Sequence, residues 1–303
     1  MLARWKPFVR LSRLKFLAGG FVGGALGTAM ASYVSGRIDL GAYALAQTTI
    51  TAFHLMTHYC NDYFDRACDV RSVRTPYSGG SGALVDGSLP PSVALSAALA
   101  CAFAGCAGAV ALALVAHAGL AAGFGLAICC LAWAYSAPPL RLLARGLGEL
   151  DTALVVAILV PLCAYTAQRP ALGALAVAST LPAAAAMFAM MLAVEYPDLA
   201  ADAAGGKRNL VVRAGPRRAQ AYGIAATMAT YAAVGLALIA GAPPALAILE
   251  ALSLPLALGY VRALATRDGD EPGADEAIAA RGVAFFFIVA FYALLAYAAA
   301  PRA

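Results

Sequence analysis

The chain has 303 residues, 62% of them hydrophobic and only 12% charged, with a formal net charge of +5 and a mean hydropathy of +0.78. Soluble domains carry roughly 25% charged residues, so a surface this poor in charge must be solvated by lipid. An ordinary soluble globule, a disordered chain, a nucleic-acid-binding protein and a secreted disulfide scaffold are excluded.

In chain order, residues 1–15 are too charged to be the core of a signal peptide. No A-x-A cleavage site follows a short apolar core, so the first span is expected to be retained. A membrane helix needs about 20 apolar residues. Nine stretches qualify: 16–34, 40–60, 93–115, 118–137, 149–167, 171–196, 219–240, 244–264 and 281–300. Turn or charge signals separate them, among them Pro90-Pro91, Pro138-Pro139, Arg169-Pro170, Gly205-Gly206 and Pro243-Pro244. No segment alternates as a lipid-facing strand would, and backbone satisfaction in lipid favours helices. The expected fold is all-α and integral to the membrane, a single domain over 1–303 with nine transmembrane helices. Gly19, Gly20, Gly23 and Gly24 give the first span two small-xxx-small faces, which allow close helix approach.

With alternate loops assigned to alternate sides, 18 of the 21 Lys and Arg residues fall on one side. Only Arg37, Arg169 and Arg302 fall on the other. The basic bias of cytoplasmic loops then predicts a cytoplasmic N-terminus and an external C-terminus. The seven cysteines form no CxxC pair and no zinc-spaced cluster, and read as small buried hydrophobes.

Most of the acidic residues lie on the same side as the basic loops, and six of the 16 form two clusters at the ends of the second and sixth spans. Asn61, Asp65 and Asp69 recur at i, i+4 and i+8 after the second span, with Asp62 one position off that line. Asp198 and Asp202 repeat the spacing after the sixth span, with Glu195 one turn earlier. Carboxylates stacked one turn apart repel one another and are costly near lipid. A hard divalent cation resolves both problems, and oxygen ligands stacked on one helix face point to Mg²⁺. Lys207 and Arg208, after Gly205-Gly206, are placed to neutralise a phosphate. Arg71, Arg74 and the run Ser78-Gly79-Gly80-Ser81-Gly82 form a second cationic, glycine-rich segment able to cradle an anion. Together these features imply a diphosphate carried on a long hydrocarbon. His54 and His58, one and two turns earlier, lack a third ligand of their type and read as helix-interface or cavity-lining residues.

At this point the chain resembles the UbiA superfamily of intramembrane prenyltransferases. Asn61 to Asp69 fits the family's NDxxDxxxD motif without a gap, and Asp198 to Asp202 fits its DxxxD motif, followed by Gly206-Lys207-Arg208-Asn209-Leu210. Tyr135-Ser136-Ala137-Pro138-Pro139-Leu140-Arg141 leading to Gly146-Leu147-Gly148-Glu149 resembles the third signature, and Arg13-Leu14-Lys15-Phe16 fits the segment before the first span. The nearest branch is the menaquinone-type enzymes. Two segments depart from the pattern: Glu195-Tyr196-Pro197 before the second motif, and 74–81.

The resemblance implies a helical bundle around a central cavity, capped on the cytoplasmic side by loops 61–92 and 197–218, in the cell (inner) membrane. It implies Mg²⁺ on Asn61, Asp65, Asp69, Asp198 and Asp202. Catalytic roles extend to Asp62 and Tyr135, and diphosphate contacts to Lys207, Arg208, Arg74, Arg141 and Lys15. The diphosphate would ionise to an allylic cation, with aromatic faces and an anhydrous cavity protecting it. The preferred reading is a transferase with an aromatic or other lipophilic acceptor; an acidic acceptor would need Arg71, Arg74, Arg141 or Arg145. The alternative is a terpene cyclase of the same fold. A transporter or lipid-binding bundle would carry polar groups at mid-membrane, and the mid-span regions here hold almost none.

Overall fold

The computed structural model describes residues 5–71, 80–267 and 273–301. Among them all regular structure is helical. The order is α1 (Trp5–Ser12), α2 (Leu17–Ser35), α3 (Leu40–Asp69), α4 (Pro91–Leu114), α5 (Gly119–Ser136), α6 (Gly148–Leu154), α7 (Val160–Gln168), α8 (Ala174–Ala178), α9 (Leu181–Glu195), α10 (Leu199–Ala204), α11 (Leu210–Ala214), α12 (Pro216–Ile239), α13 (Ala245–Ala251), α14 (Leu254–Ala265) and α15 (Ala274–Ala299).

Seven helical stretches among the described residues are long and apolar enough to cross a membrane, or eight if α13 and α14, bent by 44°, form one span. This is a multi-pass membrane protein, but the expected nine is not reached. The shortfall is α3, which has the length, with 30 residues, but not the apolarity. It carries Gln47, Thr48, Thr49, Thr51, His54, Thr57 and His58. Its threonines satisfy themselves: Thr48, Thr49, Thr51 and Thr57 each donate to the carbonyl four residues back, at 2.7–2.9 Å. Such back-bonding lets a polar helix lie buried.

Prolines and glycines explain the breaks. The stretch 149–167 is α6, a five-residue π-type turn over Val155–Leu159, and α7. Pro161, just inside α7, has no N–H to continue the preceding ladder. Pro182 and Pro255 likewise sit at the starts of α9 and α14. α1 and α2 are separate because Arg13 between them adopts a left-handed conformation, with φ 45°.

The core lies where α3 packs along α4, α2 along α7, and α9 between α12 and α15. On α2 the glycines serve two partners. A side chain at Gly24 would strike Gln47 of α3, and one at Gly27 would strike the Pro161 carbonyl of α7. The all-glycine faces therefore set the spacing of three helices.

Candidate active site

The connections after α1, α3, α5 and α10 meet at one end of the bundle. Arg13, Gly80, Leu143 and Lys207, one from each, line a common cavity of about 530 Å³ that runs down between α2, α3, α5, α6, α9 and α15. Its deeper wall is apolar, including Ile50, Phe53, Val156, Met187, Met190, Phe286 and Phe287.

α3 runs unbroken through the first acidic cluster, so the helical spacing holds. Asn61, Asp65 and Asp69 all face the cavity. The Asn61 amide donates to Asp65 at 2.9 Å and to the Ser136 hydroxyl at 3.0 Å. Asp62 takes the other face. It is paired with Arg13 and accepts from the Ser81 hydroxyl and backbone N–H. Arg13 also reaches the Asn61 carbonyl oxygen at 3.3 Å. Asp62 is thus a tether for the α1–α2 junction and for Ser81, not a cavity-facing group as the sequence reading had it. The helix rotation of 100° per residue that aligns Asn61, Asp65 and Asp69 turns Asp62 away.

The second cluster faces the first. Asp198 precedes α10 and Asp202 lies within it, and both line the cavity. Gly206, with φ 76°, reverses the chain and aims Lys207 inward. The Lys207 ammonium lies 3.5 Å from Asp202 and 3.9 Å from Asp65. One cation therefore spans both motifs. Asn209 donates to Asp202 at 2.8 Å, and Glu149 accepts from the Leu210 N–H at 2.6 Å, which locks this loop to α6. Burial pushes the carboxyl groups of Asp69 and Asp202 up to about 6. For Lys207 burial opposes the charge, but Asp65 and Asp202 outweigh it and raise its pKa.

Of the other expected site residues, Tyr135 and Lys15 line the cavity. Lys15 lies over the Phe16 ring, 4.8 Å from its centroid. Arg141 and Arg208 do not line it. Arg141 is exposed beyond α5, and the residue after the inward Lys207 points outward, so Arg208 joins Arg145 and Arg213 in a shallow surface hollow. Arg74 lies outside the described residues. Arg71 donates to the Ala204 carbonyl and Arg145 to the Pro139 carbonyl. His54 and His58 line the cavity, and His58 also hydrogen-bonds the Ser12 carbonyl at 2.8 Å, as their in-span position suggested.

The sequence reading missed Arg13 as the partner of Asp62 and Asp151 as a cavity-facing acid, while Glu195, noted one turn before Asp198, lines the cavity with its cluster. Arg13 stood out only within the Arg13-Leu14-Lys15-Phe16 segment before the first span, and nothing there marked Asp62 as its partner. Nothing in the spacing separates Asp151 from a helix-start acid.

The donor set fits a hard cation: amide and carboxylate oxygens on two opposed walls. Among the described residues no three His, Cys, Asp or Glu converge closely enough to cage an ion by themselves. Mg²⁺ commonly takes one or two carboxylates and fills its remaining positions with water and phosphate, so two open half-sites suit it better than they suit a structural metal.

A model of the UbiA prenyltransferase family matches residues 21–288. No curated protein matches by sequence. Among solved structures the chain is similar to a UbiA homolog from Archaeoglobus fulgidus bound to DMAPP and Mg²⁺, at 18% identity and TM-score 0.70, over 96% of this chain and 99% of that one. It is similar to a chain from work on digeranylgeranylglyceryl phosphate synthase in membranes, at 16% identity and TM-score 0.67, over 97% and 99%. It is also similar to an apo UbiA homolog from Aeropyrum pernix K1, at 15% identity and TM-score 0.66, over 91% and 97%. At these identities the likeness is one of fold.

Proposed function

This chain belongs to the UbiA prenyltransferase family, and from that premise we propose that it is a Mg²⁺-dependent intramembrane enzyme that ionises an isoprenyl diphosphate and transfers the prenyl group to an aromatic or other lipophilic acceptor. The carrying observation is Lys207, placed between Asp65 of the first motif and Asp202 of the second, at the mouth of an apolar cavity. A polar, cationic mouth over an apolar shaft matches a diphosphate with a hydrocarbon tail. The Archaeoglobus relatives, solved with DMAPP or GPP and Mg²⁺, support the same ligand class.

In this reading Asn61, Asp65 and Asp69 would hold one Mg²⁺, and Asp198 and Asp202 would hold a second. Bound Mg²⁺ supplies the charge that makes diphosphate a competent leaving group. Lys207 meets the anion directly, and Lys15 faces it from the α2 side. Asp62 holds Arg13 and Ser81, and so fixes the cavity rim. The allylic C–O bond breaks with its electron pair leaving on the diphosphate. The acceptor's electron pair forms the new bond to carbon, and the acceptor then loses a proton. Val156, Met187, Phe286 and Phe287 keep water from the cation. The Phe286–Phe287 ring pair, 5.1 Å apart, favours a second reading as well: cyclisation, in which a double bond of the prenyl chain replaces the acceptor.

We place α3 across the bilayer inside the bundle as a further span. One membrane domain then presents loops 61–92 and 197–218 as a cap on the cytoplasmic side of the cell membrane. Purified protein incubated with allylic diphosphates of several lengths and Mg²⁺ tests the function. Release of inorganic diphosphate that depends on Mg²⁺ is expected, with a prenylated product only when acceptor is added. A cyclic product formed at a steady rate without acceptor would replace transfer by cyclisation. No turnover of any allylic diphosphate would overturn both.

A further inference from the structure

Six exposed arginines gather beside the cavity mouth without lining the cavity: Arg141, Arg145, Arg208, Arg213, Arg217 and Arg218. Among the described residues none of them forms an ion pair. Arg145, Arg208 and Arg213 converge, with Ala144, on one hollow of about 340 Å³. The basic bias of cytoplasmic loops asks for cations on this side of the membrane, but not that three of them meet. Like charges brought together repel one another.

The backbone holds them there. The stem of Arg213 lies against bare Gly146, where a side chain would strike its Cδ, and its guanidinium donates to the Arg145 carbonyl. The Arg145 guanidinium donates to the Pro139 carbonyl at 2.9 Å. The Arg208 N–H donates to the Ala144 carbonyl at 3.2 Å and so joins the two loops. Carbonyl groups fix the guanidiniums in place and leave their charge unneutralised. The acid of the same segment, Glu149, is fully buried and accepts from the Leu210 N–H.

The surroundings choose among anions. Arg145 and Arg213 each lie three residues before a stretch able to cross the membrane, Gly148–Gln168 and Pro216–Ile239. Leu140, Leu147 and Leu150, on the segment that carries Arg145, are 45–56% exposed. Convergent cations with an apolar rim, at the ends of two spans, stand at the level of lipid headgroups. The planar fork of Arg matches phosphate oxygens, and basic pockets between spans take acidic lipid headgroups. We propose that this hollow binds the phosphate of an anionic phospholipid, whose acyl chains run past the exposed leucines. The lipid ties the loop that carries Lys207 and Asn209 to the membrane surface. The hollow lies outside the reaction cavity, so this site is independent of what the cavity turns over.

Native mass spectrometry of the detergent-purified full chain tests it, with dioleoylphosphatidylglycerol and dioleoylphosphatidylcholine as matched probes. The first phosphatidylglycerol should bind the wild type at least about tenfold more tightly than phosphatidylcholine. Arg145→Gln/Arg208→Gln should lose about tenfold in phosphatidylglycerol affinity and keep its phosphatidylcholine affinity. Arg208→Gln alone should lose about threefold; it removes no contact that holds the loops, so its loss cannot come from misfolding. Arg262→Gln/Arg281→Gln removes the same charge from the loop between α14 and α15 and should stay within about twofold of the wild type. Equal binding of the two lipids by the wild type, or equal losses in the two double variants, would overturn the proposal. Inorganic diphosphate is titrated in parallel. Diphosphate binding that falls in both hollow variants as steeply as phosphatidylglycerol binding would assign the hollow to a soluble anion and overturn the lipid assignment.

Discussion

Gly80 packs its bare Cα against the carboxylate of Asp69. A methyl group there would collide with the carboxyl oxygens, and the residue's φ of 66° already disfavours a side chain. A loop residue after α3 therefore leaves room for the last acid of the first motif.

The first prediction follows from this contact. Gly80→Ala should displace the Asp69 carboxylate and cost about 1 kcal/mol in backbone strain. The Michaelis constant for the prenyl diphosphate should rise about tenfold, with a melting temperature changed by only a few degrees. Unchanged kinetics would show that Asp69 does not need its present position.

The second concerns Lys207. Removing it leaves Asp65 and Asp202 facing each other without their shared cation. Breaking a buried pair in this way typically costs about 3–5 kcal/mol. Lys207→Ala should therefore melt well below the wild type in EDTA and regain much of the loss in Mg²⁺. Its Michaelis constant should rise for the diphosphate and not for a neutral acceptor. Equal melting in EDTA and Mg²⁺ would mean that the two acids do not share an ion.

The sequence told a great deal about this end of the molecule and less about the shaft. Asn61, Asp65 and Asp69 could be placed on one face because α3 continues through them, and helical spacing alone carries that conclusion. The opposing Asp198 and Asp202 were legible for the same reason. Arg208 was misjudged because adjacent residues after a turn point in opposite directions, and the φ of Gly206 decides which one turns inward. The apolar spans showed some of their ends: Pro90-Pro91 marks the start of α4, whereas α12 begins at Pro216, ahead of the expected 219. The π-type turn over Val155–Leu159 left no trace in composition. α3 was counted as a span on length, although its threonines and histidines make it the least apolar of the long helices. Its burial depends on back-bonded hydroxyls and on glycine spacing with α2, which are tertiary facts.

The third prediction separates residues inside the cavity from those outside it. Asp65→Asn and Asp198→Asn should each lower kcat/KM for the diphosphate by two orders of magnitude or more, because each removes a charged oxygen donor from the proposed ion sites. Arg141→Ala and Arg208→Ala should stay within about twofold of the wild type, since neither side chain lines the cavity. A large effect of Arg208→Ala on the diphosphate constant would restore it to the site.

The last prediction is topological. Residues of the N-terminal segment, of Gly80-Ser81, of Leu143 and of Lys207 share one cavity mouth, and the basic loops cluster at this end. The turn between α2 and α3 lies at the opposite end, with Ile38 50% exposed, while Val85, in the connection after α3, is 40% exposed. In a variant without native cysteines, Ile38→Cys and Val85→Cys give one reporter at each end. With the mouth on the cytoplasmic side, a membrane-impermeant thiol reagent should modify position 38 in intact cells and position 85 only after permeabilisation. The opposite pattern would put the cavity mouth outside, away from a cytosolic supply of diphosphate, and would sink the assigned orientation while leaving the geometry of the site untouched.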